Sequence, residues 1–281
     1  MLKLQTPVTD PVYSVGISYS DRIMMIGSCF TDNIGSMLKN YGFDVCVNPF
    51  GTLYNPASVA GSIKRLVSGE DFTHEECMEI GAGDSRICSF YHHTSFARLD
   101  SDEFIADANA RLAEASAFFK ECNKVIITLG TSWCYRHIEK DIIVSNCLKR
   151  NPKEFVREFL HAAQTADMLR EIMELCPDKQ FIFTVSPIRH FKDGAHGNQL
   201  SKASLLLGVN ETGAEYFPAY EIMMDELRDY RFYADDMCHP SPLAVSYIGE
   251  RFLAWALDES EQERLKENIR SWKHECHLKT V

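Results

Sequence analysis

The stretch Arg22-Ile23-Met24-Met25-Ile26-Gly27-Ser28-Cys29-Phe30 constrains the fold of this chain more than any other. A short apolar run that ends at a glycine is how a strand buried on both faces reads. Thr31-Asp32-Asn33-Ile34-Gly35-Ser36-Met37-Leu38 then opens a helical pattern. A strand that enters a helix through so tight a turn leaves Ser28 on the turn. There it lies beside the free N–H groups of the helix N-terminus, where negative charge is favoured. An acyl-transfer nucleophile belongs at such a place, provided a histidine and an orienting acid reach it from elsewhere.

The rest of the chain repeats the alternation. Phe43–Val47 alternates with period two, and Lys124–Leu129 and Gln180–Val185 are buried-strand runs followed by Gly130 and Ser186. Helices are expected from Phe30 to Tyr41 with Gly42 as the stop, and from Asn55-Pro56 to Val67 before Gly69. Another starts at the Asp100–Glu103 capping box and runs to Lys120. Asn151-Pro152 reads as the start of a helix reaching Cys176, with Phe155, Phe159, Met168, Ile172 and Leu175 inward. Pro242–Leu257 is a helix with Ser241 at its N-cap. Trp133–Arg136 and Ile142–Val144 suit a small hairpin, Ile87–His93 an extended segment, and Tyr216–Met223 a last strand. Residues 1–20 read as an irregular lead-in, 190–212 as a Gly-rich loop with a short helix, and 258–281 as a charged, partly helical tail.

Strands alternating with helices predict an α/β fold, a three-layer sandwich around a mostly parallel central sheet. With no repeat or linker, residues 1–281 form one domain, and loops 70–98 and 190–212 serve as a lid or substrate rim. Sites in such sheets form beyond the carboxyl ends of the strands. Ser28, Gly51, Gly130-Thr131 and Ser186 each follow an expected strand and so converge on one edge.

Composition narrows the partners. Lys plus Arg is 29 and Asp plus Glu is 40, so a formal charge of −11 argues against nucleic acid and anionic membrane. No run approaches the ~20 apolar residues of a membrane span, and Met1–Val8 carries no signal-peptide core. The cysteines are scattered, without a C-x-x-C pair, and read as reduced thiols of a cytoplasmic protein. Most act as small core residues, Cys29 and Cys238 included. Nothing matches H-E-x-x-H, paired Cys/His spacing or G-x-x-x-x-G-K, so neither a metal nor a phosphate-bearing cofactor is expected.

The partner for Ser28 lies in Asp235-Asp236-Met237-Cys238-His239-Pro240-Ser241. An imidazole titrates near neutral pH and can shuttle a proton, and an aspartate three residues upstream can orient it. A serine near the start and Asp-x-x-His near the end resemble the SGNH (GDSL-type) hydrolases. The Gly-Ser-Cys-Phe version of the serine block is similar to the GSCFA family. The resemblance extends through Asn48–Pro56, Leu129–Trp133 and Val185–His190. It implies an SGNH-like (flavodoxin-like) fold and a serine esterase that works through an acyl-enzyme without a cofactor. Ser28 would be the nucleophile, His239 the acid and base, and Asp236 the orienter, with Asp235 a rival to it.

SGNH enzymes usually bind the oxyanion with the nucleophile's amide, a Gly after the second strand and an Asn after the third. Ser28 and Gly51 match. Leu129-Gly130-Thr131-Ser132 carries no Asn, so Thr131 or Ser132 would donate instead. Asn48, Ser132, Trp133, His92, His93, Arg189 and His190 are the expected substrate-binding residues, and Lys192 and His196 extend that polar set. Related enzymes often act on O-acyl groups of carbohydrates, which suggests an O-acetyl or similar ester. Acyl transfer to another alcohol uses the same triad. A non-catalytic binding module on a decayed hydrolase scaffold is the reading from another class.

Overall fold

The computed structural model of the chain describes residues 6–8 and 15–279. Parts of the expected lead-in, 1–5 and 9–14, and the last two residues of the tail lie outside the described residues.

The chain begins with β1 (Arg22–Gly27), α1 (Cys29–Asn40), β2 (Asp44–Val47) and α2 (Pro56–Ser68). β3 (Cys77–Glu79), β4 (Ile87–Ser89), α3 (Ser101–Glu121), β5 (Lys124–Leu129), β6 (Trp133–His137), β7 (Ile142–Val144) and β8 (Phe155–Phe159) follow. The second half holds α4 (Ala162–Leu175), β9 (Gln180–Val185), α5 (Gly194–Asn210), β10 (Glu215–Phe217), α6 (Ala219–Glu221), α7 (Pro242–Ala256) and α8 (Gln262–Lys279).

Five strands form the central sheet in the order β10-β9-β5-β1-β2, all pairs parallel. This is the flavodoxin-like order, and its topological switch point falls between β1 and β5. Side chains alternate between the two faces, and helices bury both. Met24, Ile26, Ile127 and Phe183 enter one core with residues of α2 to α5. Ile23, Met25, Ile126 and Ile182 enter the other with α1 and α7. Burial on both faces is why these strands are continuous apolar runs.

The capping residues act as their types predict. Asn55 accepts from the Ser58 N–H at 2.9 Å, Asp100 from Glu103 at 2.8 Å, and Ser241 from Ala244 at 3.3 Å. Gly69 closes α2 in the left-handed region at φ 61°.

Three expectations are corrected. Asn151-Pro152 opens only a single turn, after which β8 pairs antiparallel with β6, so Phe155 and Phe159 belong to a β7-β6-β8 sheet. Residues 194–210 are one long helix, α5, where a loop with a short helix was expected. The last strand stops at Phe217, and the chain turns helical from Ala219.

Candidate active site

Ser28 is the N-cap of α1. Its Oγ accepts from the Phe30 N–H at 3.3 Å, and the side chain is fully buried. The turn is held from both sides, since Ser28 N–H donates to Thr128 O at 3.2 Å and Leu53 N–H to Gly27 O at 2.8 Å. Asn48, left-handed at φ 45°, joins the ends of β1, β2 and α1. Its Oδ1 accepts from Gly27 N–H at 2.8 Å, and its Nδ2 donates to Asp32 Oδ1 at 2.6 Å. Burial raises the Asp32 pKa, and the Asn48 hydrogen bond partly offsets that.

Asp236 and His239 form a completed dyad on the turn before α7. His239 Nδ1 lies 2.5 Å from Asp236 Oδ2, while Asp236 Oδ1 accepts the Cys238 and His239 amides at 2.9 Å each. Those amides, with the imidazole after them, hold the Asp236 pKa down at about 2. An ionised carboxylate can only accept, so Nδ1 carries a proton and Nε2 is the ring nitrogen turned away from Asp236. Asp235 takes no part in the dyad. Met237 sits left-handed at φ 56°, a conformation that costs a residue of its type energy and lets one carboxyl reach both amides. Arg189 fastens this turn to the loop after β9, its Nη2 donating to Met237 O at 2.6 Å and its N–H to Cys238 O at 3.2 Å.

The nucleophile candidate and the dyad come from opposite ends of the chain to the same edge of the sheet. Contacts run between these regions through Tyr54 and His190. Gly130 and Thr131 N–H both donate to Tyr54 O, at 2.8 and 2.9 Å. The Tyr54 ring faces the His190 ring at 6.4 Å. His190 is pushed down to about 4 by burial, then by the charges of Lys202 and His239. Ser28 Oγ and His239 are not hydrogen-bonded to each other among the described residues. The expected oxyanion donors are also engaged. Ser28 N–H is bound to Thr128 O, Gly51 N–H to Asn48 O at 2.8 Å, and Thr131 N–H to Tyr54 O.

The substrate-binding expectations divide. A cavity of about 880 Å³ opens beside Cys29 and is lined by Asp32, Asn48, Thr52, Tyr54 and His93 among others. Gly51, at φ 81°, lets the Asn48–Gly51 turn pass His93, whose Cβ would lie 2.3 Å from any Cβ added there. Cys29 faces this cavity, a correction to its expected core position, and burial raises its thiol pKa.

His92 is not on a rim. It is 1% exposed, lies among the rings of Phe50, Phe72, Phe96 and Phe104, and bonds Ser89 Oγ through Nδ1 at 2.6 Å. Ser132 is likewise buried, its Oγ donating to Ser201 O at 2.9 Å. Trp133 packs edge-on to Phe159 under the Arg157 guanidinium. Lys192 donates to Tyr135 OH at 2.6 Å.

Sequence reasoning missed Asp32, Tyr54 and the polar face of α5. Asn198, Ser201 and Lys202 are buried on that face, with Leu205 completing the i, i+3, i+4, i+7 stripe. Thr131 Oγ1 lies 3.1 Å from Ser201 Oγ, which also accepts from the Ser132 N–H at 2.8 Å, so α5 clamps the loop after β5. The stripe was present in the sequence, but its residues are mostly polar, and 190–212 read as a Gly-rich loop with a short helix. No group of His, Cys, Asp and Glu side chains fit to hold a metal ion occurs among the described residues. Among them, no helix is long and apolar enough to cross a membrane.

Among curated proteins no relative matches the chain. Several solved structures are similar at low identity, among them two esterases. Est2A, an acetyl xylan esterase from the rumen bacterium Butyrivibrio proteoclasticus, has a TM-score of 0.43 and 11% identity, over 85% of this chain and 64% of that one. The chain thus spans less than two thirds of that enzyme's length. A mutant of Axe2, an acetyl-xylooligosaccharide esterase from Geobacillus Stearmophilus, has a TM-score of 0.39 and 13% identity, over 88% of this chain and 100% of that one. The GSCFA family matches residues 22–252, from the first residue of β1 into α7, a span that encloses Ser28, Asp236 and His239, and the chain belongs to that family.

Proposed function

We propose that the protein is a serine esterase of the SGNH type, cleaving an ester-linked acyl group, O-acetyl or similar on a carbohydrate, through an acyl-enzyme. The observation that supports the reading is the Asp236–His239 dyad, Nδ1 to Oδ2 at 2.5 Å, in which Nε2 would serve as the base toward Ser28.

In this reading Ser28 leaves its cap bond and attacks the acyl carbonyl while His239 Nε2 takes its proton. His239 then returns the proton to the leaving alcohol, and water releases the acid by the same steps reversed. Asp236 stabilises the imidazolium. Ser28, Gly51 and Thr131 remain the proposed oxyanion donors, each exchanging its internal acceptor for the oxyanion. Asn48, Tyr54 and His93 line the space assigned to the leaving alcohol; Ser28 and His239 do not line it, and its Asn48 amide, Thr52, Tyr54 and Ser95 hydroxyls and Tyr54 and Phe96 rings suit a sugar. Transfer to a second alcohol instead of water would use the same intermediate.

A second reading, a non-catalytic binding module, is favoured by one observation, the internal commitment of Ser28 Oγ and of all three amides.

A fluorophosphonate probe tests the choice. Wild type is expected to label at Ser28, and Ser28→Ala and His239→Ala are expected not to. Ser28→Ala also removes a helix cap, so its stability should fall by about 1 kcal/mol while it stays folded. Wild type that resists both the probe and a small acetyl ester would leave the binding-module reading.

A further inference from the structure

Lys202 is the most unusual charge in the fold. It is 1% exposed on the buried face of α5, and no carboxylate pairs with it among the described residues. Its Nζ donates to Gly130 O at 2.7 Å and to Ser186 O at 2.8 Å, the carbonyls of the first residues past β5 and β9. A charged ammonium has three N–H groups and only two acceptors here, so a neutral amine fits this cradle and the cation leaves one donor unmet. Close by are other buried polar atoms without partners, Ser186 Oγ and His190 Nε2. The titratable groups facing Lys202 are Cys29 from α1, His190 from the loop after β9, and Tyr220 from α6, whose ring centre is 5.4 Å from Nζ. Cys29 directly follows Ser28, so the ammonium is within electrostatic reach of the turn on which an acyl oxyanion would form.

A cation buried without a counter-ion is costly unless something compensates it. The loop that it grips, Gly130-Thr131-Ser132, has no amide side chain, and its hydroxyls and amides are spent on Ser201 and Tyr54. We infer that Lys202 is a positioning residue of the acyl-transfer site, clamping the loops after β5 and β9 and placing its positive charge behind the developing oxyanion. The inference rests on the esterase reading. The negative charge of the tetrahedral intermediate is the missing compensation, so Lys202 acts most strongly in the transition state. Burial pushes its pKa down to about 7, so about half of the charge is present at pH 7 and the rest is lost as pH rises above it.

The experiment measures the rate of fluorophosphonate labelling of Ser28, and kcat and KM on a small acetyl ester, from pH 6 to 10. Wild type, Lys202→Met and Lys202→Arg are compared as full chains. Wild type should lose rate above about pH 7. Folded Lys202→Met should label about 100-fold more slowly, through kcat with little change in KM. It should also lose the alkaline fall, while Lys202→Arg should recover part of the rate and keep it at high pH. Folded Lys202→Met labelling within about twofold of wild type overturns the inference and leaves the esterase reading standing. If neither variant folds, the lysine Cε NMR titration of wild type decides. A labelling rate that falls with the Cε titration supports the inference, and a rate flat across it overturns it. A wild type that labels nowhere overturns the esterase reading itself, and this inference with it.

Discussion

Asp236 uses its two oxygens differently. Oδ1 is bound by two amides and shapes the turn, and Oδ2 faces His239 Nδ1. Asp236→Asn separates the two roles. An amide oxygen still accepts the backbone N–H groups, so the turn survives. The amide nitrogen, however, donates toward Nδ1 and forces the proton to Nε2, which removes the base. Turnover of a small acetyl ester is expected to fall by about 10³- to 10⁴-fold with the thermal midpoint close to wild type. A fall of only a few fold would mean that His239 does not work through this carboxylate. Because Asp236 is held near pKa 2, it stays ionised throughout any workable pH range, and the acid limb of activity belongs to another group. His92 is the residue-scale contrast. Read from sequence it resembles a rim ligand, and only its position among aromatic rings makes it a core residue.

Among the elements, the β1–β5 pair fixes the site most tightly, and Gly27 is where that can be tested. At φ 151° a Cβ on Gly27 would fall 2.2 Å from the Thr128 carbonyl oxygen, an atom held in the sheet. Gly27→Ala is expected to cost more than about 4 kcal/mol, read as a loss of soluble folded protein or a collapsed urea midpoint. A normally folded variant would mean that the two strands part at this end. The same strands were the most legible part of the sequence, because double-sided burial writes an unbroken apolar run that ends at a turn residue. The site edge followed from where those runs stop. Phe155 and Phe159 misled because a spacing of four returns to the same face in a helix and in a strand alike. α5 was hidden for the opposite reason. Its buried face bonds the loops after β5 and β9 through Asn198, Ser201 and Lys202, and a polar stripe carries no hydrophobic signal. The dyad was legible from Asp-x-x-His spacing, but the commitment of each amide was not, since that depends on which carbonyls the loops bring to it.

For the whole molecule, two effects compete to set stability against pH. A formal charge of −11 and an isoelectric point near 5.4 would place the maximum on the acid side if self-repulsion ruled. The buried groups point the other way. His92 is pushed down to about 3 and His190 to about 4, both chiefly by burial, against ~6.5 for an imidazole in the unfolded chain. Between those values the unfolded chain binds protons that the native chain does not. Their contribution is therefore full above about pH 6.5 and lost as pH falls toward 3. Lys202 has the same sign over a higher window. Its pKa of about 7, against ~10.4 unfolded, means that stability is lost as pH falls from 10.4 toward 7. The thiols oppose it. Burial raises Cys88, Cys122 and Cys134 to about 11 against ~8.5 unfolded, so their contribution is present below about 8.5 and lost as pH rises toward 11. The slopes change sign where the thiols begin to titrate, which places the maximum near pH ~8.5. Urea midpoints under reducing conditions should therefore rise from pH 4 to 8 and fall by pH 10. Lys202→Met should flatten the rise between 7 and 8.5 and steepen the fall above it, and His92→Phe should flatten the acid side. A maximum near pH 5.4 would mean instead that net charge outweighs the buried histidines and lysine.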